Sequence, residues 1–309
     1  MKTAAKRKPK IYFEEFIKNL PLTIMALPAL IVIFVVSYIP LYGLIIPFVD
    51  FNIRTGLFKS KFVGLYNFKY LISSDLLTIV RNTVFYNLVF IVLGTAVSLA
   101  FALMLYELSS RSVKFYQTTL FFPFFMSWVV VSYLFLGMLD ADHGLVNQVL
   151  KYVGVSPVAW YSTISAWPFI LVIAAIWKGL GYGIVIYYAG LMGIDGELIE
   201  ASKLDGVTWL QQVWYILIPM LKSLIVIINI MAIGKILYSD FGLFYQIPMD
   251  LPTLYPVTDV FDTYVFRMLR RLGDFGMSSA AGFIQSVFGF ILVLITNAIV
   301  KKSTSESLF

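Results

Sequence analysis

Of 309 residues, 60% are hydrophobic and only 13% charged; mean hydropathy is +0.87 and the net charge +6. A soluble fold of that make-up would leave a large apolar area in water, so a cytosolic enzyme, a secreted domain and a disordered chain are excluded, and the positive balance speaks to membrane topology, not to a nucleic-acid partner. With no cysteine and one histidine, His143, disulfides, thiolate chemistry and a multi-histidine metal site are excluded as well, and no catalytic or metal-ligating residue is assigned.

Residues 1–20 form a basic tail carrying Lys2, Lys6, Arg7, Lys8, Lys10 and Lys18. The apolar run behind it is too long for a signal-peptide core and is followed by no small-residue cleavage site, so it reads as a retained first span. Runs of about 20 apolar residues or more predict spans near 21–46, 82–107, 115–138, 166–190, 219–241 and 277–300. The alternating ten-residue segments of a membrane β-barrel are missing. The expected fold is therefore all-α, a polytopic membrane protein with six transmembrane helices in one domain over 21–300 and a short second tail at 301–309. Six spans put both termini on one side. That side carries twelve Lys and Arg, at about twice the density of the opposite loops, so the positive-inside rule puts both termini in the cytoplasm. Residues 61–72 suggest a short amphipathic helix, with Phe62, Leu65, Phe68 and Leu71 on one face. No loop is long enough for an ATPase domain and no GxxxxGK[ST] phosphate loop occurs, so any ATP chemistry belongs to another subunit.

Ionisable residues inside spans are costly and point to function or to pairing. Lys178 falls in the fourth span; Lys235 and Asp240 fall towards the end of the fifth. Each reads equally as pathway lining or as a structural pair, and Lys178 also as a snorkelling side chain. Asn229 and Gln285 sit at membrane depth, where such side chains join helices or line a path.

Residues 191–222, between the fourth and fifth spans, form the most informative loop. Asp195 suits an N-cap, with Glu197 and Glu200 in the early turns, where the helix dipole favours negative charge. Leu198, Ala201 and Leu204 recur at helical spacing, and Gly206 suits a C-terminal stop with positive φ. Thr208 then caps a second short helix carrying Trp209, Leu210 and Val213 and expected to end near Pro219. The residues alone leave two readings open: a helical hairpin that docks a partner, or an interfacial amphipathic loop.

Glu200-Ala201-Ser202, three residues, Gly206, nine residues and Ile216-Leu217-Ile218-Pro219 resemble the EAA motif of the permease subunits of bacterial ABC importers. The departures are Ser202 for the second alanine and Ile218 for leucine. Asp205-Gly206 within the loop, Gly144-Leu145-Val146-Asn147, and Asn82-Thr83 are similar to the carbohydrate-uptake, maltose-type permeases. The N-terminal region looks most like their polysaccharide and oligosaccharide subgroup. The resemblance implies a type I-like fold in which Glu200, Ala201, Ser202, Asp205, Gly206, Ile216 and Pro219 couple the permease to an ATPase through a loop at about 191–219. It implies a second homologous permease, two cytoplasmic ATPase subunits that bind ATP-Mg, an extracellular solute-binding protein, and an oligosaccharide moved across the plasma membrane. No cofactor is expected on this chain itself.

Trp177 to Tyr182 resembles the W-x-G-x-x-Y stretch of that family, which assigns Trp177, Gly179 and Tyr182 to the sugar path. Tyr238 and Asp240, near the polar end of the next lining helix, and Trp128 in the third span are assigned to it too. The competing function is an ion-coupled secondary transporter using Lys178, Lys235 or Asp240. The absence of a visible internal repeat and the coupling-type loop argue against it.

Overall fold

The computed structural model describes residues 18–74 and 76–303; the N-terminal tail up to residue 17 and residues 304–309 lie outside them. Five helices are long and apolar enough to cross a membrane: Leu20–Phe48, Leu76–Tyr106, Ile164–Met192, Trp209–Ile233 and Phe275–Ala298. A bent pair, Ser110–Phe125 with Trp128–Leu139, makes the sixth when its two halves are counted as one span.

The first span starts as α1 (Leu20–Ile33), widens to a π turn over Phe34–Tyr38 and tightens to 3₁₀ over Ile39–Phe48. Its 3₁₀ end packs on the rest of the chain, and no residue of its α and π parts is buried. Lipid is as apolar as these side chains, so an unpacked apolar helix carries no penalty in a bilayer. After it, β1 (Val49–Asp50) pairs antiparallel with β2 (Lys61–Phe62), Val49 opposite Phe62. The amphipathic helix expected over 61–72 is therefore shorter: α2 runs Tyr66–Ser74, and Phe62 belongs to a strand. Asn67 fastens this region by donating to the Pro47 and Val49 carbonyls (2.9 and 3.2 Å), and Phe68 packs among Phe48 and Phe283.

The centre of the bundle is α3 (Leu76–Tyr106) lying along α7 (Trp167–Met192), with α4 (Ser110–Phe125) on the other side of α7. Small residues let these backbones close up. A Cβ on Gly181 would fall 2.4 Å from the Phe121 Cα and 2.5 Å from the Leu120 carbonyl oxygen; one on Gly183 would fall 2.2 Å from the Ser98 hydroxyl.

The third span, expected as one helix over 115–138, is broken. Between α4 and α5 (Trp128–Leu139) the axis turns by 98°. Apolarity does not register such a break. The local chemistry does: Pro123 removes an N–H near the end of α4, and Ser127 caps α5 by accepting the Val130 N–H at 3.3 Å. Beyond α5 comes α6 (Leu145–Tyr152), held by the buried Asn147, which bonds the Asp140, Ala141 and Val158 carbonyls, the Val158 N–H and the Trp160 indole.

After α7 comes α8 (Gly196–Leu204), then α9 (Trp209–Gln212). The helix expected to stop near Pro219 runs on through a π turn at Val213–Leu217 into α10 (Ile218–Ile233). Proline clashes with the carbonyl four residues back and lacks an N–H; the widened turn accommodates both, so the helix continues. The fifth span ends early instead. Residues 234–240 leave the helix, so Lys235 and Asp240 lie beyond the helical part of the span expected over 219–241. Then α11 (Phe241–Gln246), α12 (Tyr255–Thr258) and α13 (Phe261–Arg267) fold back on α3, α5 and α7, where Leu243, Phe244, Ile247, Leu254 and Val260 join Tyr86, Val131, Trp167 and Leu171 in one core. Asp259 pairs with Arg267, and Asp250 with Arg271, across this segment. The last span, α14 (Phe275–Ser303), completes the bundle.

Gly181→Ala forces a methyl group into backbone that cannot yield. It should cost about 1–3 kcal/mol, the usual penalty of overpacking. Thermal unfolding of the purified protein in detergent should show a clear drop, whereas Gly137→Ala, with open space at its Cβ, should leave the midpoint unchanged or raise it.

Candidate functional site

The hairpin α8–α9 projects from one end of the bundle. Asp195 caps α8 by accepting the Glu197 N–H at 3.0 Å. The other end closes as a Schellman motif: Val207 N–H donates to the Ser202 carbonyl, Gly206 N–H to the Lys203 carbonyl, and Gly206 takes φ +74°. The Gln211 amide oxygen then receives the Thr208 N–H at 2.9 Å, half of a capping box that starts α9. A helix of nine residues capped this tightly moves as one piece.

Its inward face is formed by residues other than the apolar stripe. Ile199 and Ser202 are buried, Ile199 among Leu103, Tyr187, Leu191, Val213 and Leu217. The Ser202 hydroxyl donates to the Ile199 carbonyl (2.8 Å) and accepts from the Gln212 amide (2.9 Å), so it ties α8 to the start of the fifth span. Ser202 and Gln212 are 6% and 3% exposed. Leu198, Ala201 and Leu204 face outward, Leu204 at 89% exposure, beside the exposed Glu197 and Glu200. Of the assigned coupling residues, Glu200, Ala201, Asp205, Gly206 and Pro219 are exposed, whereas Ser202 is buried and Ile216 partly buried against the core below the hairpin. Gln212 was not singled out from the sequence. A polar residue three positions after a helix start in an otherwise apolar run was the available signal.

The second feature is a cavity of about 500 Å³ among α3, α4, α7 and α10, bounded by both broken spans. Trp128, Gly179, Tyr182, Tyr238 and Asp240 all line it, and so do Lys178, Lys235 and Asn229; Trp177 does not. One α-helical step turns a side chain by about 100°, so Trp177 and Lys178 point to different sides of α7.

Each polar group in the wall has an identifiable task. Lys178 is the twelfth residue of the 26-residue α7, about 17 Å from its N-terminal end, where an unpaired ammonium would cost about 2.5–3.5 kcal/mol on insertion scales. It donates to the Phe124 carbonyl at 2.9 Å, one of the acceptors left open where α4 breaks, and lies over the Phe124 and Trp128 rings at 5.5 and 5.1 Å. Asp240 receives the Trp128 indole N–H at 2.7 Å on one oxygen and the Gly242 and Leu243 N–H groups on the other, capping α11. No Lys–Asp ion pair forms in the cavity among the described residues. Tyr182 stacks on Phe124, centroids 5.3 Å apart and planes 11° apart, and its hydroxyl has no partner among the described residues. Tyr238 reaches Ser286 at 3.4 Å. Asn229 receives the Thr95 hydroxyl at 3.1 Å and so both joins α10 to α3 and faces the cavity.

The unwound segment 234–240 needs partners for its carbonyls at this depth. Asn87 donates to Ile236 and Tyr238, and Gln285 donates to Leu237 at 2.8 Å. Gln285 therefore joins helices and does not line the path. Behind the segment, Asp262 accepts the Ser239 N–H at 2.8 Å. Burial pushes its carboxyl above the usual carboxylate range, against the pull of the Ser239 N–H and the Gln285 amide.

A bundle of apolar spans around a largely apolar cavity that carries a few polar groups, with a rigid hairpin standing outside it, defines a membrane permease. Residues 94–304 match the family described as binding-protein-dependent transport system inner membrane component, and the chain belongs to that family: it is a permease of the ABC importer class. It is 31% identical to the polygalacturonan/rhamnogalacturonan transport system permease protein YteP of Bacillus subtilis (strain 168), over 98% of this chain and 95% of that one. It is 30% identical to protein LplB of the same organism, over 93% and 91%. The fold superposes with a TM-score of 0.86 on a chain of a bacterial alginate ABC transporter solved in complex with an alginate pentasaccharide-bound periplasmic protein, at 26% identity over 96% and 99% of the two chains.

Ser202→Ala strands the Gln212 amide in a buried site and should cost about 1–3 kcal/mol of stability. Adding Gln212→Leu should recover most of that loss. A double-mutant cycle of thermal unfolding checks both statements.

Proposed function

We propose that this permease carries oligosaccharides into the cell, in a complex with a second homologous permease, two cytoplasmic ATPase subunits that bind ATP-Mg, and an extracellular solute-binding protein. The supporting observation is the hairpin. It is anchored inward by Ile199 and the Ser202–Gln212 bond, and it offers outward an apolar row with carboxylates beside it. An apolar row left in water on a rigid helix fits a cleft on a soluble partner, and Glu200 suits a basic residue there. The partner is the ATPase, which puts the hairpin and both termini in the cytoplasm. The twofold density of Lys and Arg on that side agrees. The unbroken helix from Trp209 to Ile233 then carries motion of the hairpin to the cavity wall at Asn229 and Ala232.

The opposite loops, 49–81, 139–165 and 242–276, receive the binding protein. The cavity takes the sugar. Its aromatic faces at Tyr182 and Trp128 suit the apolar faces of pyranose rings, and its amides and hydroxyls suit the ring edges. The names of similar permeases support a sugar cargo: polygalacturonan and rhamnogalacturonan for one, alginate for another, and arabinooligosaccharides, trehalose and maltose, or lactose for others.

Glu200→Lys reverses the outward charge, and Gly206→Val forces a β-branched residue into positive φ. Each should cut binding-protein-stimulated ATPase activity and uptake about tenfold or more, as the loss of roughly 1.4 kcal/mol at the interface would. Assembly of the permease pair should survive. Normal stimulation and uptake in both variants would remove the hairpin from coupling.

Tyr182→Phe keeps the ring stacked on Phe124 and deletes only the hydroxyl. Uptake should fall about two- to tenfold, the value of one hydrogen bond, with basal ATPase activity unchanged. Unchanged uptake would take Tyr182 off the sugar path.

A further inference from the structure

The charges in the cavity wall are unequal. Three charged side chains line it, Lys178, Lys235 and Asp240. The two oxygens of Asp240 are already taken up, one by the Gly242 and Leu243 N–H groups and the other by the Trp128 indole. Its negative charge is thus spread into fixed bonds of the wall. Asp262 lies behind the Ser239 backbone and does not line the cavity.

The cations are less committed. Lys178 has three N–H donors and places one on the Phe124 carbonyl. Lys235 is exposed, and among the described residues its ammonium makes neither a hydrogen bond nor an ion pair, its backbone alone bonding to Ala232 and Tyr238. It follows directly on the end of the fifth span, where a lipid-facing ammonium is disfavoured and a water-filled or anion-filled space is favoured. The Phe124 and Trp128 rings beside Lys178 lower the local dielectric there and strengthen what that cation does to a passing anion. Two ammonium groups against the one carboxylate of Asp240 leave the wall with a net charge of +1, which a neutral oligosaccharide does not balance. A uronate carries a carboxylate on its ring and supplies the balancing charge.

On the reading that this cavity passes oligosaccharides, we propose that its cargo is acidic: oligosaccharides containing uronate residues, whose carboxylates are met by Lys178 and Lys235 while the rings lie against Tyr182 and Trp128. Lys178 also closes the end of α4, so its loss mixes a structural effect with a binding effect. Lys235, partnered with nothing in the wall, is the specificity-determining position that separates them.

The test uses the complete complex in proteoliposomes with its solute-binding protein and ATP. The probes are trigalacturonate and trimannuronate, the methyl ester of each, and the neutral galactotriose and arabinotriose. The wild type should take up a free acid and discriminate against its ester. Lys235→Gln should lower uptake of the acid about fivefold, the effect of one charge pair in a wet site, with uptake of the ester unchanged, and Lys235→Arg should restore it. Uptake of a neutral trisaccharide with neither acid carried would overturn the acidic assignment and leave oligosaccharide import standing. So would equal loss of every cargo in Lys235→Gln, which would make Lys235 a contact to the second permease. No uptake of any oligosaccharide, charged or neutral, would overturn the import reading itself and this proposal with it.

Discussion

Hydrocarbon offers no hydrogen bonds, so every backbone group that leaves a helix within the bilayer must find a partner inside the protein. This chain breaks two of its spans, at Phe125–Trp128 and after Ile233, and the rest of the architecture follows from how those breaks are satisfied. Lys178 covers the open end of α4. Asn87 and Gln285 cover the carbonyls of residues 236–238. Asp240 restarts the helix beyond the second break and receives Trp128 from the first, which links the two breaks by one bond. The cavity lies between them. Its wall is largely apolar, and several of its few polar groups are side chains that repair the backbone or flank the repairs.

That dual use explains why structural and functional readings of the same residue do not compete here. Lys178 satisfies one carbonyl and still has two donors to offer. Asn229 joins α10 to α3 and still shows a face to the cavity. A broken span therefore costs less than it seems, because the groups that repair it also provide the polarity that a water-soluble cargo needs. The hairpin works by the opposite means. Its backbone is fully capped, its inward face is fastened, and only side chains are left for a partner. The α9–α10 helix is the one element common to both ends.

Much of the fold was legible along the chain. Apolar runs long enough to cross a bilayer, the capping residues of α8, the positive φ of Gly206 and the EAA spacing all depend on local sequence, and the structure carries them at the expected positions. The misreadings share a cause. Hydropathy sums over a window, so it joined α4 to α5 across a right-angle bend and carried the fifth span eight residues past its end. Pro219 looked like a stop because the π turn that accommodates it leaves no mark in composition. The apolar row Leu198, Ala201 and Leu204 was readable as a face offered to a partner, and the structure leaves it exposed, but the residues that fasten the helix from behind were not readable. Spacing shows which residues share a face, but only packing against Leu191, Val213 and Leu217 decides that Ile199 and Ser202 point inward.

The sequence by itself determined the solvent, the secondary class, the number of spans with the bent pair counted as one, and the place of the hairpin loop, because each is set by properties summed over neighbouring residues. It also brought forward five of the six residues that were assigned to the path and that now line one cavity. Tertiary structure alone decided which side of α7 faces that cavity, and so excluded Trp177. It alone paired Lys178 with a carbonyl 54 positions away and Asp240 with an indole 112 positions away, instead of with each other. Those choices turn on where broken helix ends come to rest in space, and a helix end advertises its missing partner only when another helix is packed beside it.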